Sequence, residues 1–352
     1  RLGKRKQNGE SMNFTVIRTL AEMETLAGEW NTLLTESASD VPFLRYEYLA
    51  AWWQTLGGGE WPAGELYVVI ARHAGGKLAG IAPLFLTTNR AGERALMFLG
   101  SIEISDYLDV LARPADLGDF LAGLIEMLSG PQAPNFDLLD LYNLPEGSPS
   151  LPALVDAAHE RGWTLEQELL QHCPYVALPG DWEKYLAEQV DKKQRHEIRR
   201  KMRRAEESGL PVRWYIVQDE ASLQAEMDEF LRLMAQDPEK GRFLTESMRT
   251  QMHAAARAAL RAGWLQLAFL EVDGKKAAGY LNFDYDNHIW VYNSGLDFNF
   301  RELSPGWVLL GYLLQWANQN QRGHFDFMRG DEEYKYRFGA IDRHIVRVKM
   351  RR

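Results

Sequence analysis

Apolar residues crowd into two short phrases of nearly the same design. Residues 65–87, ELYVVIARHAGGKLAGIAPLFLT, run as an apolar stretch, a Gly-Gly turn and a second stretch that opens on small residues. Residues 264–286, WLQLAFLEVDGKKAAGYLNFDYD, repeat that order around an Asp-Gly turn. Compact apolar runs interrupted by such turns predict β-hairpins. Aligning Gly76 with Gly274 sets the phrases 198 residues apart; further on, Asn135-Phe136-Asp137 matches His324-Phe325-Asp326 at an offset of 189. Two offsets this close predict a duplicated domain with one small deletion.

The remaining pattern fits two copies of one unit. Apolar residues at three- and four-residue spacing predict helices over 115–130, 151–162, 182–208, 220–235, 246–262 and 307–320. Short runs rich in β-branched and aromatic residues predict strands over 95–100, 107–112, 135–144, 211–217, 288–297, 324–330 and 343–350. Interleaved strands and helices predict an α/β, or mixed α+β, chain. The expected division is a first domain over 12–178 and a second over 179–352, and two domains suit a chain of 352 residues. Residues 1–11, RLGKRKQNGES, are polar and basic with no apolar core. They read as a tail before a native start at Met12, not as a secretory signal.

Composition narrows the function classes. Hydrophobic residues make up 46% of the chain, enough for two cores, and no apolar run reaches the roughly 18 residues of a membrane span. The net charge of −9 does not invite nucleic acid or anionic lipid over the whole surface, so any anion site is a local exception. The single cysteine, Cys173, rules out an internal disulfide and fits a reducing cytoplasm. It reads as a packing residue beside Pro174. The eight histidines include no H-x-x-x-H pair and no partner cysteines, so the spacing predicts no metal site.

Three segments carry candidate chemistry. The first is Arg301-Glu-Leu-Ser304-Pro305-Gly306, between a strand and a long helix. Pro305 suits a first helical position, Ser304 an N-cap, and Gly306 lets a ligand approach the backbone. Unpaired first-turn amides and the helix dipole attract phosphate, and Arg301 adds a forked cation. The second is residues 325–340, where Asp331, Glu332, Glu333, Tyr334, Lys335 and Arg337 cluster just beyond a strand end. Acyl transfer to an amine needs a donor to the developing oxyanion, a path for the amine proton and an acid for the leaving thiolate. Lys335, Asp331 or Glu332, and Tyr334 are the candidates for these parts in turn. The third is the basic stretch 191–209, with eight Lys or Arg between Lys192 and Arg204. It reads either as a solvated helix with pairs to Glu197 or as a local phosphate site, and it has no aromatic interleaving of a nucleic-acid binder.

Together these features resemble a known family. R-x-x-S-x-G is similar to the R/Q-x-x-G-x-G/A pyrophosphate loop of the GNAT acyltransferases, with Ser304 in place of the first glycine. The hairpin D-G-K-x-x-A, the S-P-G loop and F-D-F-x-x-G-x-E-x-Y-K resemble the CelD-like, cellulose-biosynthesis-associated acetyltransferases. That family lies within the GNAT superfamily and is similar to the Fem-type peptidyltransferases. Pro42-Phe43, Ala82-Pro83-Leu84, Ser105-Asp106-Tyr107 and Cys173-Pro174-Tyr175 extend the likeness over nearly the whole chain.

The resemblance implies two GNAT-like lobes in tandem, of which only the second, with Gly330, Glu332, Tyr334 and Lys335, keeps the full site. It implies a cytoplasmic N-acyltransferase that takes acetyl-CoA or another acyl-CoA and acylates an amine of an amino sugar, nucleotide sugar or amino acid, in exopolysaccharide or envelope metabolism. Arg301, Ser304 and Gly306 would hold the cofactor, and Asp106 and Tyr107 would face the acceptor. A Fem-type transferase drawing on aminoacyl-tRNA is the second expectation. A non-catalytic acyl-CoA-binding protein of an exopolysaccharide system is the third.

Overall fold

The computed structural model describes residues 12–352, and the segment 1–11, read above as a tail, lies outside the described residues. The chain packs as two compact units, one of residues 12–56, 60–170 and 345–352, the other of residues 57–59 and 171–344. The fold is α/β, with mixed sheets flanked by helices.

The two units share one order of elements. In the first, strand Met12–Ile17 precedes helices Leu20–Glu24, Ala27–Thr35 and Tyr46–Gly59; strands from Val68–His73 to Arg94–Phe98, helix Leu117–Ser129 and strand Leu138–Pro145 follow. In the second, strand Val212–Ile216 precedes helices Glu220–Met234, Pro238–Phe243 and Glu246–Arg261. Strands Leu265–Val272, Lys275–Tyr285 and His288–Leu296, helix Pro305–Gln319 and strand His324–Asp326 follow. In each unit the strand after the long helix runs parallel to an earlier strand, as a helical crossover allows; in the first unit the short strand Leu111–Ala112 intervenes and joins another sheet. Ala95 and Leu96 pair with Leu138 and Leu139 in the first unit, and His288–Trp290 with His324–Asp326 in the second. The two hairpin turns agree as well: Gly76 and Gly274 take φ of +83° and +71°, a region glycine enters without penalty. The chain therefore holds two lobes of one design.

The sheet of the second unit has six strands. Their order is Tyr175–Ala177, His324–Asp326, His288–Leu296, Lys275–Tyr285, Leu265–Val272 and Val212–Ile216. Helix Pro305–Gln319 lays Leu309, Leu310, Leu313 and Leu314 into a core with Ile289, Phe325 and Tyr185. Each such leucine contributes about 1.5–3 kcal/mol by leaving water. The basic helix Lys192–Glu206 joins this core through Ile198, Met202 and Ala205, which fall on one face at helical spacing.

Several elements depart from the sequence pattern. The expected helix 182–208 is two helices, Trp182–Glu188 and Lys192–Glu206, because Asp191 caps the second by accepting from the amides of Lys193 and Gln194. The expected strand 107–112 shrinks to Leu111–Ala112, since Tyr107 takes φ +57° and the Leu108 amide donates to the Asn143 carbonyl. The closing strand, His344–Arg351, was expected in the second domain. Ile345 and Met350 instead pair with Pro145 and Leu139, so residues 345–352 belong to the first unit's sheet. Its alternation predicts a half-buried strand, but no local feature names the partner.

Candidate active site

The site is built where two parallel strands part. Strand His288–Leu296 carries a bulge: Leu281 faces Asn293 and Asn282 faces Val291, which leaves Tyr292 as an extra residue. Its parallel ladder with His324–Asp326 ends one residue after Ile289, at Trp290 and Asp326. Bulges bend a strand and break its pairing, and they recur beside active sites for that reason. The corresponding pair in the first unit, Leu84–Thr88 and Arg94–Phe98, keeps an unbroken register.

Helix Pro305–Gln319 starts at this point, two residues before the expected position. Ser304 is not the N-cap acceptor that its residue type suggested. It takes the left-handed conformation, φ +52° and ψ +52°, and makes no side-chain cap. Its hydroxyl instead accepts from the Arg204 guanidinium at 3.1 Å. The first-turn amides of Gly306 and Trp307 are therefore left without a capping side chain, at the positive end of the helix dipole. The left-handed backbone at Ser304 is a conformation that glycine enters without penalty and other residues rarely adopt.

Arginines gather around this loop. Arg200, Arg203 and Arg204 line a cavity of about 550 Å³ with Glu207, Ser208 and Leu303. The Lys201 ammonium lies 4.1 Å above the Trp307 ring. The expected pairs of Glu197 also exist, with Arg200 at 2.8 Å and Lys201 at 3.7 Å. Part of the basic helix is thus a solvated, paired face, and its last turns form a cationic wall. Arg301 is exposed, on the short 3-10 turn Phe298–Leu303. The counterpart helix of the first unit, Leu117–Ser129, begins at Asp116, whose carboxylate pairs with His73 and Arg113 at 3.2 and 3.6 Å. An acidic residue at that end disfavours a bound anion.

From the loop, a line of polar groups leads to the charged motif. The Tyr280 hydroxyl, opposite Ser294 on the bulged strand, points to the Gly306 carbonyl at 3.5 Å. Tyr280 and Tyr334 lie close enough to interact electrostatically. Burial, with the Glu332 carboxylate adding, pushes the Tyr334 phenol well above its ordinary range. Burial does the same at Tyr280, with Tyr334 adding. Both phenols are held as proton donors. Tyr334 stands edge-on to Phe327, with ring centres 6.2 Å apart.

Lys335 is 2% exposed, in the short helix Glu333–Arg337. Its ammonium donates to the carbonyls of Met328, Arg329 and Gly330 at 3.2, 2.9 and 2.9 Å and pairs with Glu332 at 2.8 Å. Those acceptors use all the protons an ammonium carries. Gly330 takes φ +110°, and a side chain there would run into the Glu332 carboxylate. Asp331 and Glu332 are exposed at the rim of this turn.

Lys240 joins the group without any warning from the sequence. It lies on Pro238–Phe243, a helix started by Asp237 and Pro238, and donates to the Ser294 carbonyl at 2.6 Å. Burial lowers its pKa; Asp237 and Glu332 oppose that shift and Lys335 adds to it. The Asp-Pro start was legible as a helix signal, but nothing local places the helix against the bulged strand.

Asp106 and Tyr107 belong to the first unit, where both are buried, 5% and 2% exposed. Their loop is tied down by Asn143, which donates to the Ile102 and Ser105 carbonyls at 2.8 Å each. Cys173 is fully buried, as its packing role requires.

Residues 192–336 match the family model of the acetyltransferase (GNAT) domain. This is an acyltransferase domain. The match runs from the basic helix to the charged motif and takes in the bulged strand, the Ser304 loop and Tyr334. None of the curated proteins compared with the sequence is similar to it. Among solved structures, FemX is similar over 96% of this chain and 96% of its own, with a TM-score of 0.61 and 11% identity. A conserved protein of unknown function from Bacteroides thetaiotaomicron is similar over 97% and 100%, with a TM-score of 0.60 and 15% identity. L-PGS from Bacillus licheniformis is similar over 91% and 90%, with a TM-score of 0.54 and 12% identity. At these identities the likeness is one of fold. Among the described residues no helix is long and apolar enough to cross a membrane.

Proposed function

We propose that the chain is an N-acyltransferase whose donor is an acyl-CoA, acetyl-CoA in the first instance, and whose acceptor is the amine of a small molecule such as an amino sugar, nucleotide sugar or amino acid. The observation that carries this reading is the uncapped start of helix Pro305–Gln319 beside the Arg200, Arg203 and Arg204 cavity. The amides of Gly306 and Trp307 suit a pyrophosphate. The arginines suit a further phosphate. Arg301, exposed on the 3-10 turn Phe298–Leu303, adds a fourth cation.

The reaction joins the acceptor nitrogen to the acyl carbon and breaks the carbon–sulfur bond. The nitrogen loses a proton and the departing thiolate gains one. Tyr334 suits the acid, since burial keeps its proton in place at neutral pH. Glu332 and Asp331, exposed at the rim, suit the outward path of the amine proton. Lys335 is already committed to three carbonyls. We assign it the positioning of the 328–330 turn and leave the oxyanion to backbone amides at the bulged strand. Lys240, less willing to hold its proton than an exposed lysine, is the added candidate for the acceptor side.

The second reading is a Fem-type transferase fed by aminoacyl-tRNA, favoured by the cationic wall, which would serve a nucleic-acid phosphate equally well. Membership of the CelD-like family and a place in exopolysaccharide metabolism rest on the sequence motifs: the hairpin, the S-P-G loop, the terminal motif and the shorter marks along the chain. Titration calorimetry with acetyl-CoA and, separately, with bulk tRNA tests the choice. Saturable acetyl-CoA binding with little tRNA binding at physiological salt is the expected result. The reverse result supports the Fem-type reading, and binding of neither overturns both. Turnover of any amine excludes a purely binding role.

A further inference from the structure

Two histidines that are 172 residues apart in sequence meet in the second unit. His172, Asp342 and His344 each offer a ligand atom, and these atoms all lie within 4.8 Å of one another. We propose that they form a binding site for a divalent transition-metal ion of the zinc class. Two ligands each about 2.1 Å from one ion stand about 3.0–4.2 Å apart, so small side-chain rotations close the set around it. His172 Nδ1 is already 2.8 Å from Asp342 Oδ2, and the His172 and His344 rings are centred 4.7 Å apart. Two imidazoles and one carboxylate suit zinc and its neighbours over magnesium or calcium, which prefer oxygen ligands alone.

The surroundings fit the assignment. The Tyr336 hydroxyl donates to Asp342 Oδ1 at 2.9 Å, which orients the carboxylate and leaves Oδ2 turned toward His172. The three side chains are exposed or half-buried, so water can complete the coordination. The backbones that carry them are laced together: the Cys173 amide donates to the Arg343 carbonyl at 2.7 Å and the Tyr175 amide to Ile341 at 3.0 Å. The His172 carbonyl in turn accepts from the Gly330 amide at 2.8 Å. An ion here would fasten the two ends of segment 171–344 and stiffen the turn whose carbonyls Lys335 holds. The histidine spacing predicts no metal because it holds no H-x-x-x-H or cysteine pair, whereas here His172 joins the Asp342-x-His344 pair from a distant strand end.

The test uses the full chain, stripped with a chelator and dialysed. Zinc titration by calorimetry should give one ion per chain, and the melting temperature should rise with added zinc. His344→Ala and Asp342→Asn should each weaken zinc binding by at least about tenfold, the loss seen when even an outer-shell partner of a metal site is removed. Asp342→Asn preserves shape and decides the matter if the alanine variant fails to fold. No zinc binding by the wild-type chain would overturn the proposal. So would unchanged binding in both variants, or magnesium binding as tight as zinc binding.

Discussion

The Arg204 guanidinium donates to the Ser304 hydroxyl at 3.1 Å and takes that hydroxyl away from its own helix. A serine before a proline ordinarily caps; here the cap is withdrawn, and the start of helix Pro305–Gln319 stays open for an anion. The bond also ties the basic helix to the loop, two segments that read as separate signals in the sequence.

Arg204→Ala should weaken acetyl-CoA binding by about 10–100-fold, the range expected for losing a charged hydrogen bond of about 1.5–3 kcal/mol. Calorimetry measures it, and raising the salt concentration should narrow the gap between variant and wild type. An unchanged Kd would remove the cationic wall from the donor site.

Ser304 sits at φ +52°, where a branched side chain is strained. Ser304→Gly should therefore melt at or slightly above the wild-type temperature, whereas Ser304→Val should lose about 1–3 kcal/mol. Denaturant midpoints of the two variants, with unchanged slopes, are the measurement. Equal stability would show that the loop relaxes out of this conformation.

Tyr334→Phe should keep the melting temperature and lower kcat by about 10²–10⁴, the usual weight of a positioned acid. Because burial raises the phenol's pKa, the proton is retained as pH rises through the ordinary phenol range near about 10. The wild-type rate should accordingly show no alkaline loss below that range from this group. A Tyr334→Phe chain with the wild-type rate would exclude the hydroxyl from the chemistry.

Lys335→Met should act chiefly on stability. Removing the ammonium leaves the buried carbonyls of the 328–330 turn short of donors, at a cost of about 1–3 kcal/mol for each one unsatisfied. A clear fall in melting temperature, with the rate falling alongside, is expected. A variant that melts like wild type yet loses about 10²–10³ in rate would instead point to direct contact with the reacting carbonyl.

Lys240→Ala should leave acetyl-CoA affinity unchanged and raise KM for the amine acceptor. The lowered pKa also has a sign for stability. A lysine whose pKa is depressed in the folded chain binds fewer protons there than in the unfolded chain. Its burial penalty is therefore full below the folded pKa and is relieved as pH rises toward about 10.4, the unperturbed value. Melting curves across that alkaline range should show wild type gaining on Lys240→Ala as pH rises.

Much of this protein is local and therefore legible in the sequence. The hairpins around Gly76 and Gly274 recur because a tight turn between apolar strands is written in adjacent residues. The parallel strand after each long helix follows from the same order of elements. The helix start was marked by Pro305 and Gly306, though the loss of its Ser304 cap was not, and the charged motif was marked by its position after a strand. What the tertiary structure decided depends on partners far along the chain. Lys335 reads as a free cation until three carbonyls of a folded turn surround it. Lys240 carries no signal in the sequence, and only the docking of its helix brings it to the Ser294 carbonyl on the bulged strand. His172 and His344 read as scattered until two strand ends lie side by side. The closing strand shows an unmistakable alternation, yet its place beside Leu138–Pro145 is chosen by burial of Ile345, Val346, Val348 and Met350. Periodicity along one segment states which face is buried; which surface buries it is settled only when all the segments compete for the same core.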